Sequence, residues 1–95
     1  MGKYEIMYIL SAGLDDAARN AEMEKVHGIL TANKGVIRNV NAWGMRDFAY
    51  PIKKQTKGFY VVLKVMATPE CLKEFDRLCK LDSQVIRFLI TVDKD

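Results

Sequence analysis

The sequence predicts an α+β fold with the element order β-α-β-β-α-β, in which a four-stranded antiparallel sheet carries two helices on one face. Four segments alternate bulky apolar residues with the period of a strand, and two segments between them have the period and start signals of a helix. The length of 95 residues, with 49% hydrophobic and 28% charged residues, suits one ordinary globular domain over residues 1–95.

The first strand is predicted over residues 3–10, where both faces are largely apolar, as in a central strand. Asp15 is the predicted N-cap of the first helix, which is expected to end near residue 33. The only histidine, His27, falls on the polar side of this helix. It is therefore interpreted as solvent-exposed and without a chemical role.

A long second strand is predicted over residues 36–52, with a bulge or bend at Gly44. Residues 53–57 are the expected hairpin tip, and the third strand is expected over residues 58–66. The sequence leaves open whether the only tryptophan, Trp43, belongs to the core or to an interface.

Thr68, followed by proline and glutamate, is a typical helix start, and the second helix is predicted to end near residue 80. Cys71 and Cys79 lie on its apolar stripe, too far apart along one helix to form a disulfide. They are interpreted as small core residues. The last strand is predicted over residues 85–92.

This order of elements fixes which strands are central and which face of the sheet is covered. Right-handed crossovers place the first and third strands in the centre and the other two at the edges. The helix-covered face should carry Ile6, Tyr8, Leu10, Val61, Leu63, Val65, Phe88 and Ile90, and the open face Met7, Ile9, Tyr60, Val62, Arg87 and Leu89. An open face with several apolar residues is typical of a contact surface, for a protein partner or for stacked bases. The alternative is a smaller apolar patch that a loop or crystal packing screens.

Positive charge is concentrated in residues 34–64, which hold seven basic residues and one acidic residue. The rest of the chain holds eight basic residues and eleven acidic residues. Such a field is typical of a polyanion site, and a solvated charged hairpin is the alternative.

No apolar run is long enough to span a bilayer. No paired acid and base, metal-ligand spacing or glycine-rich phosphate loop indicates an enzyme or a cofactor. The sequence predicts a cytoplasmic protein with no cofactor, metal or small-molecule substrate.

Four motifs occur in register along almost the whole chain: KYEIMYIL at 3–10, WGMR followed by FAYPI within 43–52, GFY at 58–60 and VIR at 85–87. Together they resemble the bacterial small-subunit (30S) ribosomal protein S6 family. The resemblance implies a ferredoxin-like fold and a structural, non-enzymatic role in the ribosome. It also implies binding to the central domain of small-subunit ribosomal RNA together with ribosomal protein S18.

The resemblance further implies which residues make these contacts. RNA contacts are expected at Lys3, Tyr4, Arg46, Lys53, Lys54 and Arg87, and the protein-partner face at Met7, Tyr60, Val62 and Leu89. The alternative is a stand-alone RNA-binding domain of the same topology, in which Tyr60 would stack on a base. The first strand offers no ring at the matching open-face positions, which weighs against this alternative.

Overall fold

The computed structural model describes residues 1–93, so residues 94 and 95 of the predicted domain lie outside the described part. The elements are β1 (Gly2–Ser11), α1 (Asp16–Ala32), β2 (Val36–Ile52), β3 (Gln55–Ala67), α2 (Pro69–Leu81) and β4 (Val85–Val92). Antiparallel pairing gives one sheet with the strand order β2-β3-β1-β4. The predicted α+β, ferredoxin-like fold is confirmed, with the first and third strands in the centre.

Both helices begin at the caps that the sequence predicts. The Asp15 carboxylate accepts a hydrogen bond from the Ala18 amide at 2.8 Å, and the Thr68 hydroxyl oxygen accepts one from the Cys71 amide at 3.2 Å. These bonds satisfy amides that have no partner within the helix. Neither α1 nor α2, the helices of residues 1–93, has the length and apolar character that a membrane crossing requires.

The core lies between the helices and the predicted covered face. Phe75 of α2 is fully buried and meets Phe88 of β4 edge to face, with ring centroids 5.8 Å apart. Both cysteines are buried and free, as predicted. The core residues from the sheet are Ile6, Tyr8, Leu10, Val61, Leu63 and Val65, with Phe88 and Ile90 packed against them. The predicted assignment of these eight residues to the covered face is confirmed.

The prediction that His27 is solvent-exposed is wrong. His27 is half-buried, and its Nε2 forms a hydrogen bond with the hydroxyl of the buried Tyr8 at 2.7 Å. Burial lowers the pKa of His27 and raises the pKa of Tyr8, so a neutral imidazole pairs with a protonated phenol. His27 therefore has a structural role, because it satisfies a hydroxyl that lies within the core.

A small polar cluster joins α1 to the end of α2. Lys25 Nζ lies 3.3 Å from Asp82 Oδ2, and the Glu22 carboxyl is close enough to the Asp82 carboxyl for the two to interact. Burial, this interaction and the Asp82 charge raise the pKa of Glu22 to about 7. Burial alone would also raise the pKa of Asp82, but interactions with Glu22, the Gln84 amide and Lys25 hold it below its usual value. Of the two carboxyls, Glu22 therefore holds a proton to the higher pH.

We expect Glu22→Gln to remove a pH dependence of the free energy of unfolding. Because the folded protein raises the pKa of Glu22, the stabilisation that it gives is fully present below about pH 4.5 and is lost as the pH rises through about 7. The amide retains a donor for Asp82, so the free energy of unfolding of the variant should exceed that of the parent near pH 8 and match it near pH 4.5. Solvent screening of this part-exposed carboxyl reduces the expected difference near pH 8 to about 1 kcal/mol. Thermal unfolding at both pH values measures this, with the exposed Glu24→Gln as the control; a difference that does not change with pH would contradict it.

The hairpin between β2 and β3 is tighter than predicted. The expected tip over residues 53–57 is wrong, because β2 ends at Ile52 and β3 already begins at Gln55. Lys53 and Lys54 form a two-residue turn, with φ of 49° and 65°. Such turns usually use asparagine or glycine, and two lysines carry no such signal.

Candidate nucleic-acid and protein-partner interface

The open face of the sheet is built from side chains in rows that cross the strands, because paired residues of antiparallel strands point to the same side. We call one of these the apolar row, and its neighbour toward the hairpin the hairpin-side row. The apolar row consists of Val62, Met7 and Leu89, and the hairpin-side row of Tyr60, Ile9 and Arg87. The four residues predicted for a protein partner therefore share one face and lie in adjacent rows.

The exposure of these residues is uneven. Leu89, on the edge strand β4, is 55% exposed, whereas Val62, on β3, is only 8% exposed. Met7 and Tyr60 are half-buried. The apolar surface open to a partner is therefore concentrated at Leu89 and Met7, and it is smaller than the sequence predicts.

Part of the open face is covered by an aromatic side chain of the hairpin. Phe48 of β2 lies against Tyr60, with ring centroids 6.2 Å apart. A Cβ added to Gly58 would lie 2.5 Å from Ile9 Cγ2 and 2.9 Å from Phe48 Cζ. The missing side chain of Gly58 therefore lets Ile9 and Phe48 pack against its backbone. Ile9 is only 2% exposed, and the expectation that it lies open is wrong. Sequence reasoning missed Phe48, although a glycine within a strand is the signal for such a close approach.

Four of the six residues predicted for RNA lie at the hairpin end of the sheet. They are Arg46, Lys53, Lys54 and Arg87. Lys53 and Arg87 line one surface depression, which the Lys80–Asp76 ion pair also borders. Within residues 1–93 none of the four cations forms an ion pair. All four are exposed, and their charges are available to an anionic partner.

Gln55 fixes the hairpin to the rest of the fold. Its Oε1 accepts hydrogen bonds from Ser11 Oγ at 3.3 Å and from the Ala12 amide at 3.1 Å. The Ser11 amide in turn donates to the carbonyl oxygen of Gln84, which precedes β4. The hairpin and the start of β4 are therefore joined through the end of β1. This link helps to place Lys53 and Arg87 around one depression. In the sequence Gln55 is only a turn signal, and its spacing does not indicate these hydrogen bonds.

The other two residues predicted for RNA lie elsewhere. Lys3 is exposed on the open face, six residues along β1 from Ile9, which is about 20 Å in a strand. Tyr4 points to the helix-covered side, where it is half-buried against the core and its ring lies close to Gly2. Neither residue joins the cations at the hairpin end.

Trp43 lies on the open face because of a bulge in β2. Ala42 pairs with Val61 and Gly44 pairs with Tyr60, so Trp43 is the extra residue between them. Gly44 has a φ of 92°, a conformation that favours glycine, which confirms the predicted irregularity. The Trp43 ring is nearly parallel to that of Tyr60, at 6° and with centroids 6.2 Å apart. Trp43 remains 45% exposed, so it belongs to the surface and not to the core.

Comparison with known proteins gives a consistent result. Residues 3–92 match the family model described as ribosomal protein S6. The small ribosomal subunit protein bS6 of Exiguobacterium sibiricum is 42% identical over 94 residues, which cover 99% of each chain. The crystal structure of 30S ribosomal protein S6 from Thermotoga maritima superposes with a TM-score of 0.92 at 30% identity, covering 97% of this chain and 87% of that one.

Proposed function

Because this chain belongs to the ribosomal protein S6 family of the small ribosomal subunit, we propose that it binds the central domain of small-subunit ribosomal RNA together with ribosomal protein S18. Membership makes it a ribosomal protein of the cytoplasmic ribosome, with RNA binding and a part in translation, in a family that is not one of enzymes. The proposal adds the second protein, the RNA domain and the surfaces that each would use.

One observation carries the proposal, namely that the exposed apolar residues lie on the open face and that cations unpaired within residues 1–93 gather at the adjacent hairpin end of the sheet. Leu89 is 55% exposed and lies in the apolar row beside Met7. Exposed apolar side chains on a sheet suit burial against another protein. Arg46, Lys53 and Arg87 lie at the hairpin end without ion pairs to residues 1–93, and such cations suit RNA phosphates.

The adjacency of the two parts suggests how the proteins would cooperate. Arg87 and Leu89 lie on the same face of β4, one row apart, which is about 7 Å along a strand. A protein seated on the apolar row would therefore lie beside the cations and extend the surface offered to RNA. Phosphate contacts would fix the position, while the shape of the folded RNA would supply most of the selectivity.

A three-component binding experiment tests the proposal. A labelled central-domain RNA fragment is titrated with the chain, with S18 and with both, and an RNA duplex of equal length serves as the control. We expect the two proteins together to bind the fragment at least about ten-fold more tightly than either alone, because each completes the surface of the other. If the chain alone binds as tightly as the pair, a stand-alone RNA-binding domain is the better description.

We expect the hairpin lysines to set the salt dependence of RNA binding. Lys53→Ala and Lys54→Ala should each weaken binding and reduce the slope of log affinity against log salt by about one unit or less. Titrations of the fragment at several salt concentrations, with S18 present, measure the slope. Lys73→Ala is the matched control, because Lys73 is an exposed lysine on α2 and outside the hairpin sequence. An unchanged slope in the hairpin variants would exclude the hairpin from the RNA site.

A further inference from the structure

We propose that Trp43 stacks on an unpaired nucleobase of the bound RNA, with Tyr60 supporting its ring and Arg46 beside it. The inference rests on the proposed function and deepens it. Besides the phosphate contacts, it names one further RNA group that the protein would bind, an unpaired base.

The backbone holds Trp43 ready for such a contact. The bulge at Ala42 and Gly44 adds Trp43 to β2, and its ring lies parallel to that of Tyr60 on the open face. A β-bulge of this kind changes the direction of a side chain while the strand stays in the sheet. Phe48 packs against the same Tyr60, so the supporting ring is itself held in place. The indole therefore needs little ordering when a ligand arrives.

The surroundings of Trp43 favour a nucleic acid over a protein. The Arg46 guanidinium carbon lies 5.2 Å from the centre of the indole, and 45% of Trp43 is still exposed with both neighbours in contact. When a guanidinium lies next to an aromatic ring, the guanidinium can bind a phosphate while the ring stacks on a base. The surrounding segment 34–64 holds seven basic residues and one acidic residue.

Trp43 also lies apart from Met7 and Leu89, where the exposed apolar surface is concentrated, although its neighbour Tyr60 was expected at the partner face. It belongs to β2 at one edge of the sheet, whereas Leu89 belongs to β4 at the opposite edge, with β3 and β1 between them. Three strand spacings are about 14 Å. A protein centred on Leu89 and Met7 can therefore leave the indole free for RNA.

Stacking also defines the kind of RNA group involved. The faces of paired bases are covered by their neighbours within a helix, so only an unpaired base presents its face to a side chain. Stacking on tryptophan works for every base, so we expect the contact to report an unpaired position and not a particular sequence.

The chain offers a direct probe, because Trp43 is its only tryptophan. The full chain is labelled with 5-fluorotryptophan, and its single fluorine resonance is followed on adding unlabelled S18 and then the central-domain RNA fragment. We expect S18 alone to leave the resonance in place and the RNA to shift it. A shift with S18 alone, and none with RNA, would assign Trp43 to the protein interface and overturn the inference.

Two variants of Trp43 separate the effect of ring stacking from the effect of side-chain volume. Trp43→Leu should bind the fragment on the order of ten-fold more weakly, whereas Trp43→Phe, which keeps a ring, should lose less than about three-fold. Both should retain the melting temperature and the affinity for S18, since the side chain lies at the surface. Equal losses in the two variants would overturn the stacking contact. RNA binding that is sensitive to Lys53→Ala but unaffected by either Trp43 variant would overturn it while leaving the proposed function intact; no RNA binding by the parent would overturn both.

Discussion

Leu89→Asp is expected to weaken the binding of S18 by roughly 100-fold, which is about 2.7 kcal/mol. Leu89 is the most exposed member of the apolar row, and Met7 lies beside it on β1. A carboxylate placed there would be buried by the partner without a matching charge, at a large cost in free energy. Isothermal titration of the variant with S18, in the absence of RNA, measures the loss.

Leu81→Asp is the matched control for this prediction. Leu81 is 74% exposed at the end of α2, so the same substitution is made at an exposed leucine that lies outside the sheet. We expect its affinity for S18 to remain within about two-fold of the parent. Equal affinities of the Leu89 and Leu81 variants would show that the apolar row is not where S18 binds.

Phe75→Ala is expected to lower the free energy of unfolding by about 3–5 kcal/mol. Phe75 is fully buried on α2 and packs edge to face against Phe88 of β4. Its removal leaves a cavity at the contact between the helix layer and the edge strand that carries Arg87 and Leu89. The cost is a large part of the roughly 5–15 kcal/mol that stabilises a domain of this size. Urea denaturation followed by circular dichroism measures it.

Tyr50→Ala provides the comparison. Tyr50 is an aromatic residue that is 73% exposed on β2, so its removal creates no cavity, and we expect a change within about 0.5 kcal/mol. If both variants lost the same stability, the burial of Phe75 between α2 and β4 could not be the cause of its effect.

The covered face could be predicted because strand alternation is a local property. In β1, Ile6 and Tyr8 point to the helices while Met7 points away, and the pairing with β3 preserves this division. The stripe on α2 that contains Phe75 was equally clear. On α1 the apolar residues are spread around the axis, so the half-buried position of His27 could not be read from its spacing.

The arrangement of the candidate site depends on contacts between segments that are distant in sequence. Motifs pointed separately to Lys53 and Arg87, but their proximity depends on the tight turn and on the hydrogen bonds of Gln55. The position of Trp43 depends on the register of β2 against β3, and the low exposure of Ile9 depends on Phe48. These contacts leave no periodic signal.

The most direct measurement maps which side chains respond to each partner. Methyl and amide NMR spectra of the full chain are recorded alone, with S18, and with S18 and the central-domain RNA fragment. We expect S18 to shift the methyl groups of Met7 and Leu89 and to leave Leu81 unchanged, after which the RNA should shift the amides of Lys53 and Lys54. Shifts confined to Leu81 and the outer surfaces of α1 and α2 would contradict the assignment of the open sheet face to the two partners.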